Sequence, residues 1–291
     1  MTVIGVIGMG QMGAGIAGRL AARGAMVLTN LDGRSAASAA RARAAGVQAV
    51  SAAALAERSG LILSVVPPAR ARQVAEACLP LLQAVAKPPL YLDCNAVAPA
   101  TVQAIAASFA ALDQPFADAS IIGGPPKSGG QGREDAGPRL YLSGPVAEAA
   151  GILRAVGLDA RLLSAAIGDA SAVKMSYAGI TKGFQALGAA MALGAARNGA
   201  TDALVAELRH SQPMLYDWLC RQIPRLYPKA YRWDGEMREI AAFLAPEAGS
   251  VRMLDGAADL FAAIAAAHEE GPETEMIALL DRFSGNAGSQ A

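Results

Sequence analysis

A glycine-rich segment near the amino terminus restricts the fold of this chain more than any other feature. The apolar, mostly β-branched run Val3–Ile7 is followed at once by the sequence Gly-Met-Gly-Gln-Met-Gly at residues 8–13. A segment of helical character continues to about Arg23, and a second apolar run begins at Ala25. Strand, turn, helix and strand in this order predict the opening unit of a doubly wound α/β sheet.

Each glycine of this turn has its own physical role. The first permits the tight turn, the second lets main chain approach a pyrophosphate, and the third lets the helix pack on the strand. The amino end of the helix adds unpaired N–H groups and a partial positive charge. A tight turn without ligand is the alternative. We predict dinucleotide binding by five residues, namely Gly8, Gly10, Gln11, Met12 and Gly13.

The end of the second predicted strand is expected to face the adenosine ribose. Arg34 and Ser35 are suited to a ribose 2′-phosphate through charge-assisted hydrogen bonds. Asp32 suits the free ribose hydroxyls of NAD, or it caps the helix that starts near Arg34. We predict NADP(H) in preference to NAD(H), with Asn30, Arg34 and Ser35 at this end. Arg41 and Arg43 are expected on the solvated face of the following helix.

Apolar runs alternate with alanine-rich helical segments as far as Leu163. Strands that are apolar throughout need cover on both faces, which predicts an α/β class with a Rossmann-type doubly wound sheet. Beyond this point the strand signal fades, and residues 165–197 are expected to form one long helix. Further helical segments are expected, including 201–222 with Pro213 as a break or first-turn residue. We predict an NAD(P)-binding domain over 1–163 and an all-α substrate and dimerisation domain over 164–291.

The balance of charged residues limits the classes of partner that the protein is expected to bind. The chain has 25 Lys plus Arg and 25 Asp plus Glu, so no bulk field attracts nucleic acid or anionic lipid. No signal-peptide pattern is present at the amino terminus. The expectation is a cytoplasmic protein that acts on a small molecule, without metal, nucleic acid or membrane. The thiols and imidazoles are isolated from one another in sequence, which predicts a reduced protein without a metal site. They belong to Cys78, Cys94, Cys220, His210 and His268.

Five motifs in order resemble the β-hydroxyacid dehydrogenase family, which includes 3-hydroxyisobutyrate and 6-phosphogluconate dehydrogenases. The likeness covers nearly the whole chain. Where the chain departs from the family pattern, it resembles a divergent branch of the family that is described as phosphogluconate dehydrogenase NAD-binding-like. The motifs are the turn at 8–13, Ser-Val-Val-Pro-Pro at 64–68, Asp-Cys-Asn at 93–95, Asp-Ala-Ser-Ile-Ile-Gly-Gly at 118–124 and Gly-Asp-Ala-Ser-Ala-Val-Lys at 168–174.

The resemblance implies roles for individual residues. Lys174 stands in the place of the family's catalytic lysine. Ile122 and Ala178 replace a serine and an asparagine that hold the substrate, and a downstream Lys-Asp-Leu segment is absent near 235–237. The residues implied on the cofactor side are Val65, Val66, Pro67 and Asn95, and those on the substrate side are Ile122, Gly123, Gly124, Tyr177, Ala178 and Thr181.

Hydride transfer to a carbonyl requires a proton donor for the developing alkoxide, and a lysine shielded from water supplies one. At about 100° per residue, Lys174, Ala178 and Thr181 share a stripe with Gln185, and Tyr177 lies beside it. Tyr177 or Thr181 is expected to replace contacts of the missing asparagine. Without the family likeness, a solvated surface charge is the ordinary interpretation of such a lysine.

The expected function is an NADPH-dependent oxidoreductase for a small carbonyl or β-hydroxy acid, with Lys174 as general acid/base. An imine reductase shares this fold, although those enzymes typically carry another residue at the lysine position. A nucleotide-binding sensor without turnover is the remaining alternative. The apolar flanks of the long helix predict a homodimer.

Overall fold

The computed structural model describes residues 2–126 and 137–285. The chain divides into two compact units, Met1–Met175 and Ser176–Ala291. The division falls inside the long helix, Asp169–Arg197, whereas the predicted boundary after residue 163 precedes that helix. The first turns of the helix therefore belong to the same unit as the amino-terminal sheet.

The described part of the first unit contains one eight-stranded sheet. The strands follow the order β3-β2-β1-β4-β5-β6-β7-β8; the first six are parallel, and β7 runs antiparallel to β6 and parallel to β8. This confirms the predicted Rossmann-type sheet, with its topological switch between β1 and β4. The strands are β1 Val3–Ile7, β2 Met26–Thr29, β3 Gln48–Ala49, β4 Leu61–Ser64, β5 Leu90–Asp93, β6 Phe116–Ile122, β7 Arg139–Ser143 and β8 Asp159–Ser164.

Helices cover both faces of this sheet, which explains why its central strands are apolar throughout. One core joins the sheet to α1, α2 and α6, and a second joins it to α3, α4 and α5. In the second core the rings of Tyr91 and Phe109 lie 5.0 Å apart. The helices are α1 Gln11–Ala22, α2 Ala36–Ala44, α3 Ala52–Arg58, α4 Ala71–Gln83, α5 Pro99–Ala110, α6 Ala147–Ala155 and the beginning of α7 Asp169–Arg197.

Two features at the end of the first unit differ from the sequence expectation. The strand β8 was not predicted, because its sequence Asp-Ala-Arg-Leu-Leu-Ser mixes charged and apolar residues at an edge of the sheet. The helix α7 begins at Asp169 and not at 165, since Gly168 has a φ of 109° in the left-handed region.

The second unit is helical, as predicted. Within the helical segment expected over 201–222, Pro213 is a first-turn residue, as expected: it starts a new helix after a break at Gln212, because proline is favoured in a first turn. None of the helices in the described ranges has the length and apolar character of a membrane span. After α7, the helices are α8 Thr201–Ser211, α9 Pro213–Leu226, α10 Trp233–Phe243, α11 Ala248–Glu270 and α12 Glu275–Ser284.

Candidate active site

The glycine turn between β1 and α1 fits the approach of a dinucleotide. Gly8 has a φ of 102°, and a Cβ there would meet the carbonyl oxygen of Val65. A Cβ on Gly13 would meet the carbonyl oxygen of Gly8, so both positions require glycine for close packing. A Cβ on Gly10 would meet nothing within 4 Å, which leaves open space at the one glycine expected to face a pyrophosphate.

The amino end of α1 offers main-chain donors to that space. Ala14 makes the first helical hydrogen bond, to the carbonyl oxygen of Gly10 at 2.9 Å, so the N–H groups of residues 11–13 precede the helical ladder. In the described structure no side chain caps this helix, and its first turn holds no acidic residue. Main-chain N–H groups with the helix dipole behind them suit a diphosphate.

The ribose end of the site is organised by short polar contacts. Asn30 Nδ2 donates to Asp32 Oδ2 at 2.8 Å and to the Val50 carbonyl at 3.1 Å. Ser35, and not Asp32, caps α2 by accepting from the Ser38 N–H at 3.2 Å. The alternative in which Asp32 caps the helix is therefore wrong. Arg34 precedes this cap and is exposed.

Arg41 connects α2 to the glycine turn. Its Nε donates to the Met9 carbonyl at 2.7 Å, and its Nη2 donates to Ser38 Oγ at 3.2 Å. The side chain is half-buried, so the expectation that Arg41 decorates a solvated face is wrong; Arg43 on the same helix is exposed. The Met9 carbonyl lies thirty-two residues away in sequence, so no local sequence pattern predicts its contact with Arg41.

The loop after β4 lies across the switch point from the glycine turn. The Val65 N–H donates to the Ile7 carbonyl at 2.8 Å. Asn95 is buried; its Oδ1 accepts from the Val66 N–H at 2.7 Å and its Nδ2 donates to Ser64 Oγ at 3.1 Å. The predicted cofactor residues Val65, Val66 and Pro67 thus lie on a loop that the Asn95 amide fixes beside the turn.

A row of buried polar residues crosses the sheet at its carboxyl edge, and the sequence reasoning missed it. Strand register places Ser64, Asp93, Asp118 and Ser143 side by side on β4 to β7. Burial, with a smaller contribution of the same sign from the nearby Asp118, raises the pKa of Asp93 to about 6. Asp93 Oδ1 accepts from the Asn95 N–H at 2.9 Å.

Asp118 is the most heavily bonded member of this row. Its Oδ2 accepts from Ser143 Oγ and from the N–H groups of Gly168 and Ser171, each at 3.0 Å, and its Oδ1 accepts from Ser171 Oγ at 2.8 Å. Burial raises the pKa of Asp118, while the bonds from Ser171, Ser143 and Gly168 oppose that rise. This carboxylate attaches the start of α7 to β6.

Lys174 lies on the second turn of α7, at the end of β6. Its Nζ donates to the Ile121 carbonyl at 3.1 Å, and its side chain is half-buried. The predicted substrate residues Ile122, Gly123 and Gly124 follow Ile121 directly; Ile122 is buried and the glycines are exposed. The sequence of the glycine-rich stretch 123–130 predicts main-chain N–H groups that face an anionic substrate, with a surface loop as the alternative; its residues 127–130 lie outside the described residues.

The loop after β6 also packs on the nucleotide helix. A Cβ on Gly15 of α1 would lie 3.0 Å from Pro126 Cδ and 3.2 Å from Pro125 Cβ. Glycine at position 15 therefore permits the loop that continues from Gly124 to rest against α1.

The remaining predicted substrate residues belong to the second unit. Tyr177 is exposed and Ala178 is buried. Thr181 Oγ1 donates to the Tyr177 carbonyl at 2.9 Å, one turn back along the same helix. The hydroxyl of Thr181 is thus used within α7, whereas the Tyr177 ring belongs to an exposed face of that helix.

Residues 3–157 match a family model described as the NAD binding domain of 6-phosphogluconate dehydrogenase, and this match spans more than half of the chain. The chain belongs to this family. The predicted family resemblance is confirmed. Residues 195–264 match a domain of unknown function, DUF1932. No curated protein matches the chain.

Solved structures show the same fold over nearly the whole length. The conserved protein MTH1747, of unknown function and structurally similar to 3-hydroxyacid dehydrogenases, is 28% identical, with a TM-score of 0.67 over 92% of this chain and 99% of that chain. The Mycobacterium tuberculosis 3-hydroxyisobutyrate dehydrogenase with L-serine is 19% identical, with a TM-score of 0.70 over 97% and 99%. An imine reductase from Myxococcus stipitatus with NADP+ is 17% identical, with a TM-score of 0.54 over 97% and 99%.

Proposed function

We propose that this protein is an NADPH-dependent oxidoreductase that reduces a small carbonyl compound, or oxidises the corresponding β-hydroxy acid, with Lys174 as general acid/base. One observation carries the proposal: the Lys174 ammonium group lies at the carboxyl edge of the sheet whose glycine turn suits a dinucleotide. Parallel α/β sheets bind their ligands at this edge.

The cofactor is held mainly by main chain. The N–H groups of residues 11–13 take the diphosphate, and Gly10 gives it room. Arg34, Ser35 and Asn30 take the adenosine ribose with its 2′-phosphate. Val65, Val66 and Pro67, fixed by the Asn95 amide, border the cofactor from the β4 side. When bound, the reduced nicotinamide supplies the hydride.

Lys174 donates or accepts the proton of the reaction. Hydride addition to a carbonyl carbon leaves negative charge on the oxygen, and the Lys174 ammonium group donates the proton that neutralises it. In the reverse direction the neutral amine accepts the hydroxyl proton. The bond to the Ile121 carbonyl orients Nζ beside the loop that begins at Ile122 and Gly123. Those main-chain groups border the substrate where the family's serine is replaced.

The experiment measures NADPH oxidation with a panel of small aldehydes, 3-oxo acids and cyclic imines. Lys174→Met removes the ammonium group and keeps the length of the side chain, so kcat falls by about a thousandfold while the Kd for NADPH stays within about twofold. The exposed Lys87 gives the matched control, Lys87→Met. Turnover of Lys174→Met within tenfold of wild type overturns the catalytic role of Lys174. NADPH binding by the wild type without turnover of any compound of the panel overturns the proposal that the protein is an oxidoreductase.

Cofactor preference is tested on the compound with the highest turnover. The exposed Arg34 beside the Ser35 cap predicts a higher kcat/KM with NADPH than with NADH. An equal or higher value with NADH contradicts the preference and leaves the reaction type standing. Activity on cyclic imines alone assigns the substrate class to imines.

A homodimer is part of the proposal, because α7 carries an exposed apolar stripe. Its five members follow a 3-4-3-4 spacing and contain no charge. The spacing is nearly symmetric about its central residue, so two copies related by a twofold axis present complementary faces. Large apolar side chains that are each about half exposed along one helix face are typical of a protein interface. The stripe consists of Tyr177 (49% exposed), Ile180 (62%), Phe184 (51%), Leu187 (57%) and Met191 (58%).

Light scattering during gel filtration tests this interface. The wild type is expected at the mass of two chains, and Ile180→Glu with Leu187→Glu at the mass of one, because buried unpaired carboxylates oppose association. Met253 on α11 is 68% exposed and lies outside the stripe, so Met253→Glu is the matched control. A monomeric wild type, or a double variant that stays dimeric, contradicts the assignment.

A further inference from the structure

We propose that Asp118 is a positioning residue, which fixes the first turns of α7 against β6 and thereby places the Lys174 ammonium group at the Ile121 carbonyl. The inference deepens the proposed function and rests on the role given there to Lys174. Asp118 itself touches no reacting atom in this proposal.

The contacts form a closed circuit of two short segments. Asp118 and Ile121 lie three residues apart on β6, and Ser171 and Lys174 lie three residues apart on α7. One end of the circuit is closed by Asp118, which accepts from the Ser171 N–H and Oγ at 3.0 and 2.8 Å. The other end is closed by Lys174 Nζ, which donates to the Ile121 carbonyl at 3.1 Å. Two attachments one turn apart fix both the rotation and the advance of α7 along the strand.

The strength of the first attachment comes from charge and burial. Asp118 is 1% exposed and accepts four hydrogen bonds, two of them from main-chain N–H groups at the start of the helix. A helix begins with N–H groups that lack intrahelical partners, and a carboxylate placed there also meets the positive end of the helix dipole. Asp118 supplies from β6 what a capping side chain ordinarily supplies from the residue before the helix.

The Ser143 hydroxyl on β7 bonds both the Asp118 carboxylate and the start of α7. Ser143 Oγ donates to Asp118 Oδ2 at 3.0 Å and accepts from the Ala170 N–H at 3.1 Å. The start of α7 is thus attached to β6 directly and to β7 through one hydroxyl. Lys174 is the first lysine along the helix after this anchor, so a displaced first turn moves its ammonium group.

Hydrogen exchange followed by mass spectrometry tests the anchor without any substrate. Asp118→Asn replaces the charged acceptor, and amide exchange in the segment 168–175 is expected to accelerate at least about tenfold. The matched control is Asp169→Asn: Asp169 is an exposed carboxylate of the same first turn, bonded to Ser164 Oγ at 2.6 Å. Its exchange stays within about twofold of wild type. Ser171→Ala keeps the carboxylate, loses one donor and gives an intermediate acceleration, which keeps the test open if Asp118→Asn does not fold.

Trace labelling of lysines with acetic anhydride, read by mass spectrometry at a fixed pH, tests the consequence for Lys174. In wild type the half-buried Lys174 reacts more slowly than the exposed Lys87. In Asp118→Asn, or in Ser171→Ala, the labelling rate of Lys174 rises at least about threefold relative to that of Lys87 in the same variant. If Asp118 contributes only to stability, the variant has a lower melting temperature and the labelling rate of Lys174 in the folded protein is unchanged.

Unchanged exchange in 168–175, or an unchanged Lys174 labelling rate in a folded variant, overturns the positioning role. The proposed function fails separately, when Lys174→Met retains turnover. In that event the exchange and labelling results still decide whether Asp118 holds the helix. An inactive Lys174→Met together with wild-type behaviour of Asp118→Asn leaves the proposed function intact and removes this inference alone.

Discussion

The glycine turn after β1 and the junction of β6 with α7 lie at the same edge of one sheet, yet they use opposite chemistry. At the turn, side chains are missing: Gly8 and Gly13 let main chain touch main chain, and Gly10 leaves space. At the junction, the buried Asp118 carboxylate on β6 accepts hydrogen bonds from Ser143 on β7 and from Gly168 and Ser171 at the start of α7. The first region depends on shape, and the second depends on charge.

This difference separates what disturbs each region. A steric arrangement is insensitive to pH and is destroyed by one added methyl group. An arrangement of buried carboxylates tolerates small changes of volume and responds to protonation. Three variants test the contrast.

Gly13→Ala has the largest expected effect. Its Cβ would meet the Gly8 carbonyl, so the main chain has to move, and the free energy of unfolding falls by about 3 kcal/mol. Gly10→Ala is the matched control, since its Cβ would stand in open space and stability is preserved. Its Kd for NADPH rises at least about tenfold, because the methyl group occupies the approach of the diphosphate. Urea denaturation and calorimetric titration measure the two effects; equal stability of the two variants contradicts the steric account.

Asp93→Asn has the next largest effect, and it depends on pH. Burial raises the pKa of Asp93 from 3.8 to about 6, so the folded protein binds this proton more tightly than the unfolded chain does. The charged carboxylate therefore lowers stability above pH 6, and this cost disappears below pH 4. Asparagine keeps an acceptor for the Asn95 N–H and removes the charge, so the variant is more stable by about 2 kcal/mol at pH 7.5.

Urea denaturation at pH 4, pH 5 and pH 7.5 measures this difference. The gain of Asp93→Asn over wild type is expected to shrink as the pH falls from 6 to 4. Asp217 is exposed on α9, and Asp217→Asn is the control that removes a carboxylate from solvent. A gain that is the same at all three values, or a loss at pH 7.5, shows that the buried charge is not the cause.

Arg41→Met has the smallest effect and tests a side chain that bonds the main chain of the glycine turn. Loss of the 2.7 Å bond to the Met9 carbonyl loosens the turn, and the Kd for NADPH rises about tenfold, which is about 1.4 kcal/mol. Arg43→Met, at an exposed position of the same helix, stays within about twofold. Equal affinities of the two variants in calorimetric titration contradict the bracing role of Arg41.

The regions also differ in how far the sequence predicts them. The fold class, the glycine turn and the family are confirmed, because the strand, the turn and α1 signal their structure within about thirty neighbouring residues. The solvated position of Arg41 is wrong, since its partner Met9 lies on another element. The strand β8 was missed because an edge strand needs no continuous apolar run.

The sequence by itself determined the alternation of strands and helices, the glycines at 8, 10 and 13, and the lysine at 174. Local sterics and hydrophobic periodicity act between near neighbours, so they are legible along the chain. Only the tertiary structure decided that Ser64, Asp93, Asp118 and Ser143 form one row and that Asp118 meets the start of α7. Those contacts join residues 25 to 53 positions apart, and strand register and burial, which exist only once the sheet has formed, determine them.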